Sequence, residues 1–572
     1  MGCRENENIQ DVYFEAIVTV LGVVYAHRKM PDGGDLYLTP HGMNHAKRLD
    51  VGNWRSPNWF TEKRERLDGT STVYRVPTKP VDGRSIDLVV KNCRVGEDVP
   101  GDTQTLLSIL NAEFNSPWEE FSLTTELREG KYGNPQISIH TQDPLAIYIP
   151  GETMQLWQSG RSRDRLKRVT ARHPGIEIDI LRQYQLIYGW IPGNDLVECL
   201  HLTNASDDEL QQIAVRLTHK SIDAMATKGF EVADMKPSHI IIDEADVTTL
   251  RSFHVTSSDG VAFLEKLIDD GQYSIVDYEL LARTSEHNRE ANGRRRQTYL
   301  DVQRDRFKTA SLPSFLKATT VMDVPYIFGH CESTDGRLWV VGRNGQLFDY
   351  FLPERWRCTT SWMLSEKSDI FYTLSKDAIH LVWKISRVGE LPVPDPRHPC
   401  ASEIVSFGYN SPFEEFAIAH DLAQKGVGVV YVRAIYRTGS FKIDVTEDYS
   451  RYKSHERLLS PDGTSVLQNS YDYITLRGYF NGPDDWVAKN HCALCRPVNL
   501  SKAVHSGLIT PSEATSFVDR MHSELNRAGY DGSFLSIDDY LIAVTLENAL
   551  LRTDSGDVDV RICNFEHLQY RK

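Results

Sequence analysis

Three charged residues near the middle of the chain have the types that transfer of a phosphate group requires. Asp234 and Lys236 stand two residues apart just before a proline, and Asp277 directly follows a short apolar run. Such a transfer needs a carboxylate that orients the attacking hydroxyl, a cation that offsets charge, and oxygen ligands for a divalent metal ion. The simpler alternatives are a turn at Asp234 and a loop cap at Asp277.

Elements predicted upstream could position a charged pair beside these residues. An apolar run predicts a strand over 86–91 that ends at Lys91. Ser116, followed by proline, predicts a helix start with Glu120 in the first turn, where the helix dipole favours carboxylates. Alone, Lys91 and Glu120 are typical of a surface salt bridge. Further strands are predicted at 71–77, 137–140, 146–149, 240–242 and 273–276, with a helix over 207–228. Strands followed by helices indicate an α+β fold.

Length and charge restrict the class of protein. A chain of 572 residues exceeds what one core usually organises, so two or more domains are expected. The formal net charge of −15 argues against a chain that coats nucleic acid or an anionic membrane, so neither is expected as a partner. The longest apolar candidate, residues 16–25, is too short to span a membrane and is predicted as one buried strand. Nine scattered cysteines favour a reducing, cytoplasmic location.

The sequence also repeats itself. Residues 90–97 recur at 383–390, and residues 114–121 recur at 409–416, with offsets of 293 and 295 residues. Collinear matches at nearly constant spacing predict a tandem duplication with domains 1–315 and 316–572 that contact each other. Between them, the polar stretch 286–308 predicts a solvated helix that leads into a linker, with a phosphate-binding arginine patch as the alternative.

Three segments give this chain a family resemblance, which spans residues 62–282. The segment Asp-Met-Lys-Pro-Ser-His at 234–239 resembles the Asp-Leu-Lys-Pro-x-Asn catalytic loop of Ser/Thr protein kinases. Val-Asp-Tyr-Glu at 276–279 stands where that family has Asp-Phe-Gly, and residues 187–193 resemble the hinge of aminoglycoside phosphotransferases. The resemblance to the protein-kinase-like superfamily implies an α+β fold class with two tandem bilobal domains and reduced C-terminal lobes.

The resemblance also implies a set of site residues. It gives Asp234 and Lys236 catalytic roles and makes Asp277 and His239 metal ligands, for ATP with Mg²⁺ or Mn²⁺. His239 replaces the family's asparagine, and imidazole suits transition metals better than Mg²⁺. The implied nucleotide-binding residues are Lys91, Glu120, Gly69, Thr70, Tyr188 and Trp190.

The second copy departs from the family pattern. Lys384 and Glu415 persist, but Phe534 and Asn564 stand where the first copy has Asp234 and Asp277. The resulting hypothesis is an ATP-dependent phosphotransferase that acts through its first domain on an unknown protein or small-molecule acceptor, with a structural or regulatory second domain. The alternative is a catalytically inactive tandem pseudokinase that serves as a nucleotide- or protein-binding scaffold. Transfer of AMP instead of phosphate is a third possibility on the same fold.

Overall fold

Short, largely apolar segments form mainly antiparallel sheets in both halves of the chain, and central strands of the large sheets are buried along most of their length. In the computed structural model the described residues are 14–67, 72–95, 97, 114–152, 182–203, 205–253, 257–356, 359, 361–365, 369–394, 396, 398–442, 445–480, 495–545 and 547–571. They form two compact units that divide between Glu290 and Ala291. The domain boundary at residue 315 remains a prediction.

The first unit is a mixed α/β structure. Its strands are β1 (Ala16–Val20), β2 (Val23–Lys29), β3 (Asp35–Leu38), β4 (Glu65–Arg66), β5 (Val73–Pro77), β6 (Asp87–Asn92), β7 (His140–Thr141), β8 (Pro144–Ile149), β9 (Gln185–Gly189), β10 (Gly193–Asp195), β11 (Phe230–Val232), β12 (Ile240–Asp243), β13 (Ser274–Ile275) and β14 (Leu281–Arg283). Its helices are α1 (Pro40–Met43), α2 (Val51–Trp54), α3 (Pro57–Lys63), α4 (Pro117–Glu129), α5 (Leu196–His201), α6 (Asp207–Thr227), α7 (Glu244–Ser252) and α8 (Ser257–Asp269).

The second unit contains the remaining elements. Its strands are β15 (Lys317–Val321), β16 (Val324–Cys331), β17 (Gly336–Val341), β18 (Ser361–Met363), β19 (Ile370–Leu374), β20 (His380–Ile385), β21 (Val432–Phe441), β22 (Tyr471–Gly478), β23 (Cys495–Asn499), β24 (Tyr530–Asp531), β25 (Tyr540–Thr545), β26 (Val560–Ile562) and β27 (Gln569–Tyr570). Helix α9 (Ser285–Arg304) includes the dividing point, and the later helices are α10 (Pro353–Trp356), α11 (Ala401–Phe407), α12 (Pro412–Gln424), α13 (Ser450–Ser454), α14 (Leu500–His505) and α15 (Pro511–Ala528).

The largest sheet of each unit has eight strands in a corresponding order. In the first unit the order is β1-β2-β3-β8-β9-β6-β5-β4, and in the second it is β15-β16-β17-β21-β22-β20-β19-β18. Smaller sheets follow: β10-β12-β13-β7 and β11-β14 in the first unit, and β23-β25-β26 and β24-β27 in the second. Strands β6 and β20 occupy corresponding positions, and they carry Lys91 and Lys384.

The predicted single strand over residues 16–25 is wrong. The chain turns at Leu21 and Gly22, which have φ angles of 50° and 84°, and the two halves pair as the antiparallel strands β1 and β2. Glycine adopts positive φ without steric cost, so the turn interrupts the apolar run.

The arginine-rich stretch forms helix α9, as predicted, but one of its arginines is partly buried in ion pairs. The guanidinium of Arg295 pairs with Asp377 and lies 2.7 Å from Asp349 Oδ2. Arg355 contacts the same two carboxylates, so within the second unit this arginine acts as a structural cation. Within the described residues, no helix combines the length and apolarity needed to cross a membrane.

Candidate functional site

A buried lysine is the centre of the charged cluster in the first unit. Strand β6 places Lys91 inside the unit, where its side chain is only 6% exposed. Its Nζ lies 2.6 Å from Asp277 Oδ1, 3.2 Å from Glu279 Oε2 and 3.6 Å from Glu120 Oε1. Burial opposes the charge of Lys91, but Asp277, Glu120 and Glu279 together hold its pKa well above the ordinary value. This ammonium group is therefore charged at neutral pH.

Helix α4 positions Glu120 through a strong N-terminal cap. The Ser116 side chain accepts a hydrogen bond from the Glu119 backbone N–H, and the Glu119 side chain accepts one from the Ser116 N–H. Glu120 follows in the first turn and is buried, with Tyr188 Oη donating to its Oε1 at 2.8 Å. Burial raises the pKa of Glu120 to about 7, with Lys91 opposing this rise and Glu279 and Asp277 adding to it.

Asn115 joins this helix to the acidic segment around Asp277. Its backbone N–H donates to Glu279 O at 2.9 Å. Its side-chain amide donates to Tyr278 O at 3.2 Å and to Leu281 O at 2.9 Å. One residue therefore fixes the start of helix α4 relative to the segment that carries two of the three carboxylates around Lys91.

Asp277 has an unusual backbone conformation. Its φ of 68° lies in the left-handed region, which non-glycine residues adopt at a cost and which is found preferentially at functional sites. Burial would raise the pKa of Asp277, but Lys91 and then His239 lower it to about 2. Asp277 is therefore a carboxylate throughout the neutral pH range.

The loop before strand β12 brings three further predicted residues to the same place. A 3₁₀ turn at Pro237–His239 follows Lys236, and the Val276 N–H donates to His239 O at 2.9 Å. His239 Nε2 lies 3.7 Å from Asp277 Oδ2, and Lys236 Nζ lies 3.2 Å from Asp234 Oδ2. Asp234, His239 and Asp277 each offer a ligand atom, and these atoms all lie within 4.8 Å of one another.

This donor set fits a divalent cation. Asp234 Oδ1 and His239 Nδ1 are buried and have no hydrogen-bond partner among the described residues. Two carboxylates and an imidazole are ligands that divalent metal ions take in proteins. The fit is therefore supported by the donor chemistry and by the unsatisfied Asp234 Oδ1, while His239 faces Asp277 with its other ring nitrogen, Nε2.

The remaining predicted residues lie elsewhere or outside the described residues. Gly69 and Thr70 belong to the latter group. Tyr188 is 1% exposed and orients Glu120. Trp190 stacks under Arg75 at 4.6 Å and lines a cavity of about 490 Å³ beside strands β7, β12 and β13. The residues around Lys91 do not line this cavity.

The second unit repeats the lysine arrangement with different neighbours. Lys384 Nζ lies 2.7 Å from Glu566 Oε1 and 3.7 Å from Glu415 Oε2. Arg387 pairs with Glu566, and Arg477 pairs with Glu415, so each buried carboxylate has a second cation. Arg477 comes from strand β22 at the position that Tyr188 has in strand β9.

Sequence analysis missed Glu279 and Arg94. Arg94 Nη1 lies 3.4 Å from Glu279 Oε1, as the Arg387 guanidinium pairs with Glu566 in the second unit. The signal was in the repeat itself, because both copies retain this arginine three residues after the strand lysine and this glutamate two residues after Asp277 or Asn564.

No protein-family model matches the chain, and no curated protein matches it. Among solved structures, WaaP in complex with acyl carrier protein is 13% identical to this chain, with a TM-score of 0.19. The match covers 42% of this chain and 73% of WaaP. The BubR1 kinase domain is 11% identical, with a TM-score of 0.20 and coverage of 48% and 56%, respectively. Because both TM-scores are very low, the function proposed below depends on the site geometry.

Proposed function

We propose that the first unit is an ATP-dependent phosphotransferase that acts on an unidentified acceptor, and that the second unit is its structural or regulatory partner. The observation that carries the proposal is the position of Asp277, whose carboxylate lies between the buried lysine and the histidine of the candidate metal site. One carboxylate oxygen of Asp277 lies 2.6 Å from buried Lys91, and the other lies 3.7 Å from His239. Phosphoryl transfer depends mainly on positioned charge, which this arrangement supplies.

Each residue has a defined part in this proposal. Asp234 accepts the proton of the acceptor's hydroxyl group. The hydroxyl oxygen forms a bond to the γ-phosphorus of ATP. At the same time the bond between that phosphorus and the β–γ bridging oxygen breaks, and ADP leaves. Lys236, whose side chain is 41% exposed, offsets charge on the transferred group. Lys91 is held by Glu120 and faces the phosphates. When bound at Asp277 and His239, a divalent cation supplies charge neutralisation for the phosphate oxygens.

The relation between the two units belongs to the same proposal. The corresponding strand orders and the paired Lys–Glu contacts support a tandem duplication of kinase-like domains. In the second copy, Phe534 and Asn564 replace the two aspartates. A domain without these carboxylates lacks the proton acceptor and the metal ligand, so we assign chemistry to the first unit alone.

One observation favours the alternative function, an inactive nucleotide- or protein-binding scaffold. Glu279 Oε2 lies 3.2 Å from Lys91 Nζ, and Arg94 forms a second ion pair with Glu279. Phosphate oxygens would have to compete with this carboxylate for the ammonium group. In a scaffold the ion pairs of Lys91 can stay intact. In an enzyme, Lys91 must lose its contact with Glu279 or Asp277 when nucleotide binds, so that it can contact the phosphates.

Radiolabelled ATP separates these functions. The full chain is incubated with ATP labelled at the γ- or the α-phosphate, with Mg²⁺ or Mn²⁺, alongside Asp234→Asn and a matched second-unit control, Asp539→Asn. We expect release or transfer of γ-label that falls about 100-fold or more in Asp234→Asn and persists in the control. Retention of α-label alone would instead indicate AMP transfer. If neither label moves but a fluorescent ATP analogue binds, the scaffold is supported.

A further inference from the structure

The donor atoms of Asp234, His239 and Asp277 are close enough to share one ion. They lie within 4.8 Å of one another. Two ligands with bonds of about 2.1 Å can be at most about 4.2 Å apart around one ion. A pair separated by the full 4.8 Å therefore needs to approach by about 0.6 Å if its two members lie on opposite sides of the ion, and by about 1.4 Å in tetrahedral geometry, which torsional adjustments supply.

Lys91 and Lys236 each contact one carboxylate oxygen of the cluster, but other polar atoms of it have no partner among the described residues. Asp234 and His239 are each 8% exposed, and Asp234 Oδ1 and His239 Nδ1 have no hydrogen-bond partner within the described part of the chain. His239 Nε2 lies 3.7 Å from Asp277, beyond hydrogen-bond distance. A buried polar atom without a partner is unfavourable, so Asp234 Oδ1 calls for one, and an ion would supply it.

The corresponding residues of the second unit differ because their polar atoms form hydrogen bonds with one another. Asp539 stands at the position of His239 and accepts a hydrogen bond from Asn564 at 2.9 Å. The other oxygen of Asp539 accepts bonds from the N–H and hydroxyl of Ser536, at 2.7 Å and 2.8 Å. These side chains satisfy one another, and the described residues of that unit offer no corresponding set of metal ligands.

The ligand chemistry indicates which ions the first unit accepts. Mg²⁺ prefers oxygen ligands and keeps several waters, and it usually depends on substrate phosphates to complete its coordination. Imidazole favours transition metals, and the combination of histidine with carboxylates is typical of Mn²⁺, Fe²⁺ and Zn²⁺ sites. A site with three protein ligands also needs no nucleotide to hold the ion.

We propose that Asp234, His239 and Asp277 form a three-ligand site that binds one divalent transition-metal ion in the absence of nucleotide. The proposal deepens the proposed function, because it names the metal class and makes the ion a resident of the first unit. It also gives Asp234 a second role as a metal ligand, so nucleotide or acceptor must release it before it can accept a proton.

Mn²⁺ is the probe for the test. The full chain is stripped with a chelator and titrated with Mn²⁺ in nucleotide-free buffer, and free Mn²⁺ is followed by electron paramagnetic resonance. We expect one tight site per chain, and modulation from a directly bound ¹⁴N nucleus in the pulsed spectrum. An about tenfold excess of Mg²⁺ should displace only a minor fraction of the ion. Absence of nitrogen modulation, or ready displacement by Mg²⁺, would overturn the proposal.

Variants identify the ligands. His239→Asn should weaken Mn²⁺ binding about tenfold or more and abolish the nitrogen modulation, whereas His201→Asn, at an exposed position, should change neither. Asp234→Asn should weaken binding while keeping the nitrogen signal. Full Mn²⁺ affinity in either site variant would contradict the ligand assignment. Circular dichroism checks that each variant is folded.

The metal-binding experiment and the phosphate-label experiment can reject the two proposals separately. If Mn²⁺ binds as described but no phosphate label moves, the metal site is retained and the phosphotransferase is rejected. If label moves with Mg²⁺ while nucleotide-free Mn²⁺ binding is absent, the enzyme is retained and the resident ion is rejected.

Discussion

Both units hold a strand lysine against a helix glutamate at nearly the same separation. Lys91 lies 3.6 Å from Glu120, and Lys384 lies 3.7 Å from Glu415. Around this shared pair the first unit places three potential metal ligands, whereas in the second unit arginine and mutually hydrogen-bonded side chains take their places. The lysine–glutamate pair is therefore part of the framework that both units share, and the residues that differ between the units are the candidates for the proposed chemistry.

Exchanging one residue between the units tests this conclusion most strongly. Asp277→Asn gives the first unit the residue that the second has at Asn564, and we expect ATP turnover to fall about 100- to 1000-fold. The reciprocal Asn564→Asp should leave turnover unchanged, because Phe534 still replaces the proton acceptor. Release of γ-label is the measurement. Similar losses in both variants would mean that chemistry is not confined to the first unit.

Removing each lysine should affect stability unequally. Lys91→Met leaves two buried carboxylates and the partly buried Asp277 with one fewer cation, and we expect a loss of about 3 kcal/mol in unfolding free energy. Lys384→Met should cost less, because Arg387 and Arg477 remain bound to Glu566 and Glu415. Urea denaturation followed by tryptophan fluorescence measures both. Equal losses would show that the arginines do not replace the lysine.

The stability of the first unit should depend on pH through Glu120. Its pKa is raised from 4.5 to about 7 in the folded protein, so the folded state keeps a proton that the unfolded state releases. Stability contributed by this group is therefore complete below about pH 4.5 and is lost as the pH rises toward 7, by on the order of 1 kcal/mol per pH unit.

Glu120→Gln should remove this pH dependence, while Glu129→Gln, at a half-exposed position on the same helix, should retain it. Thermal unfolding midpoints between pH 4.5 and 7 provide the comparison. A wild-type midpoint that rises across this window, at a slope that Glu120→Gln does not alter, would contradict the assignment to this residue.

The smallest expected effect concerns the partner that each unit gives its helix glutamate. Tyr188→Phe removes one hydrogen bond to Glu120 and should cost about 1 kcal/mol. Arg477→Met should cost more, because a buried charge on Glu415 loses a cation. Denaturant unfolding of the two variants measures the difference. A larger loss for Tyr188→Phe would reverse the contrast between the two units.

Local signals in the sequence predicted the elements that carry the site. Ser116, a proline and two glutamates specify the start of helix α4, which the structure confirms with a complete capping box. The predicted strands before and after it were correct to within a few residues. Helices α7 and α8 were not predicted, and the hairpin at Leu21 was missed because a turn inside an apolar run gives a weak signal.

Contacts between residues far apart in the chain could not be predicted from local sequence patterns. Lys91 and Asp277 are 186 positions apart, and the role of Glu279 depends on how the chain folds back between them. Tyr188 was predicted to face a nucleotide, and only the structure places its hydroxyl on Glu120. Family resemblance assembled the set of candidate residues, but it assigned no role to Glu279, where this chain departs from the family pattern.

The Asn115 contacts have a consequence for motion. Because one asparagine holds both the start of helix α4 and the 278–281 segment, an outward swing of the helix must break three hydrogen bonds at once. Asn410 makes the same three contacts, with Phe565, Glu566 and Leu568. In each unit the helix and the segment should therefore open as one cooperative piece, with amides that share a single rate of hydrogen exchange.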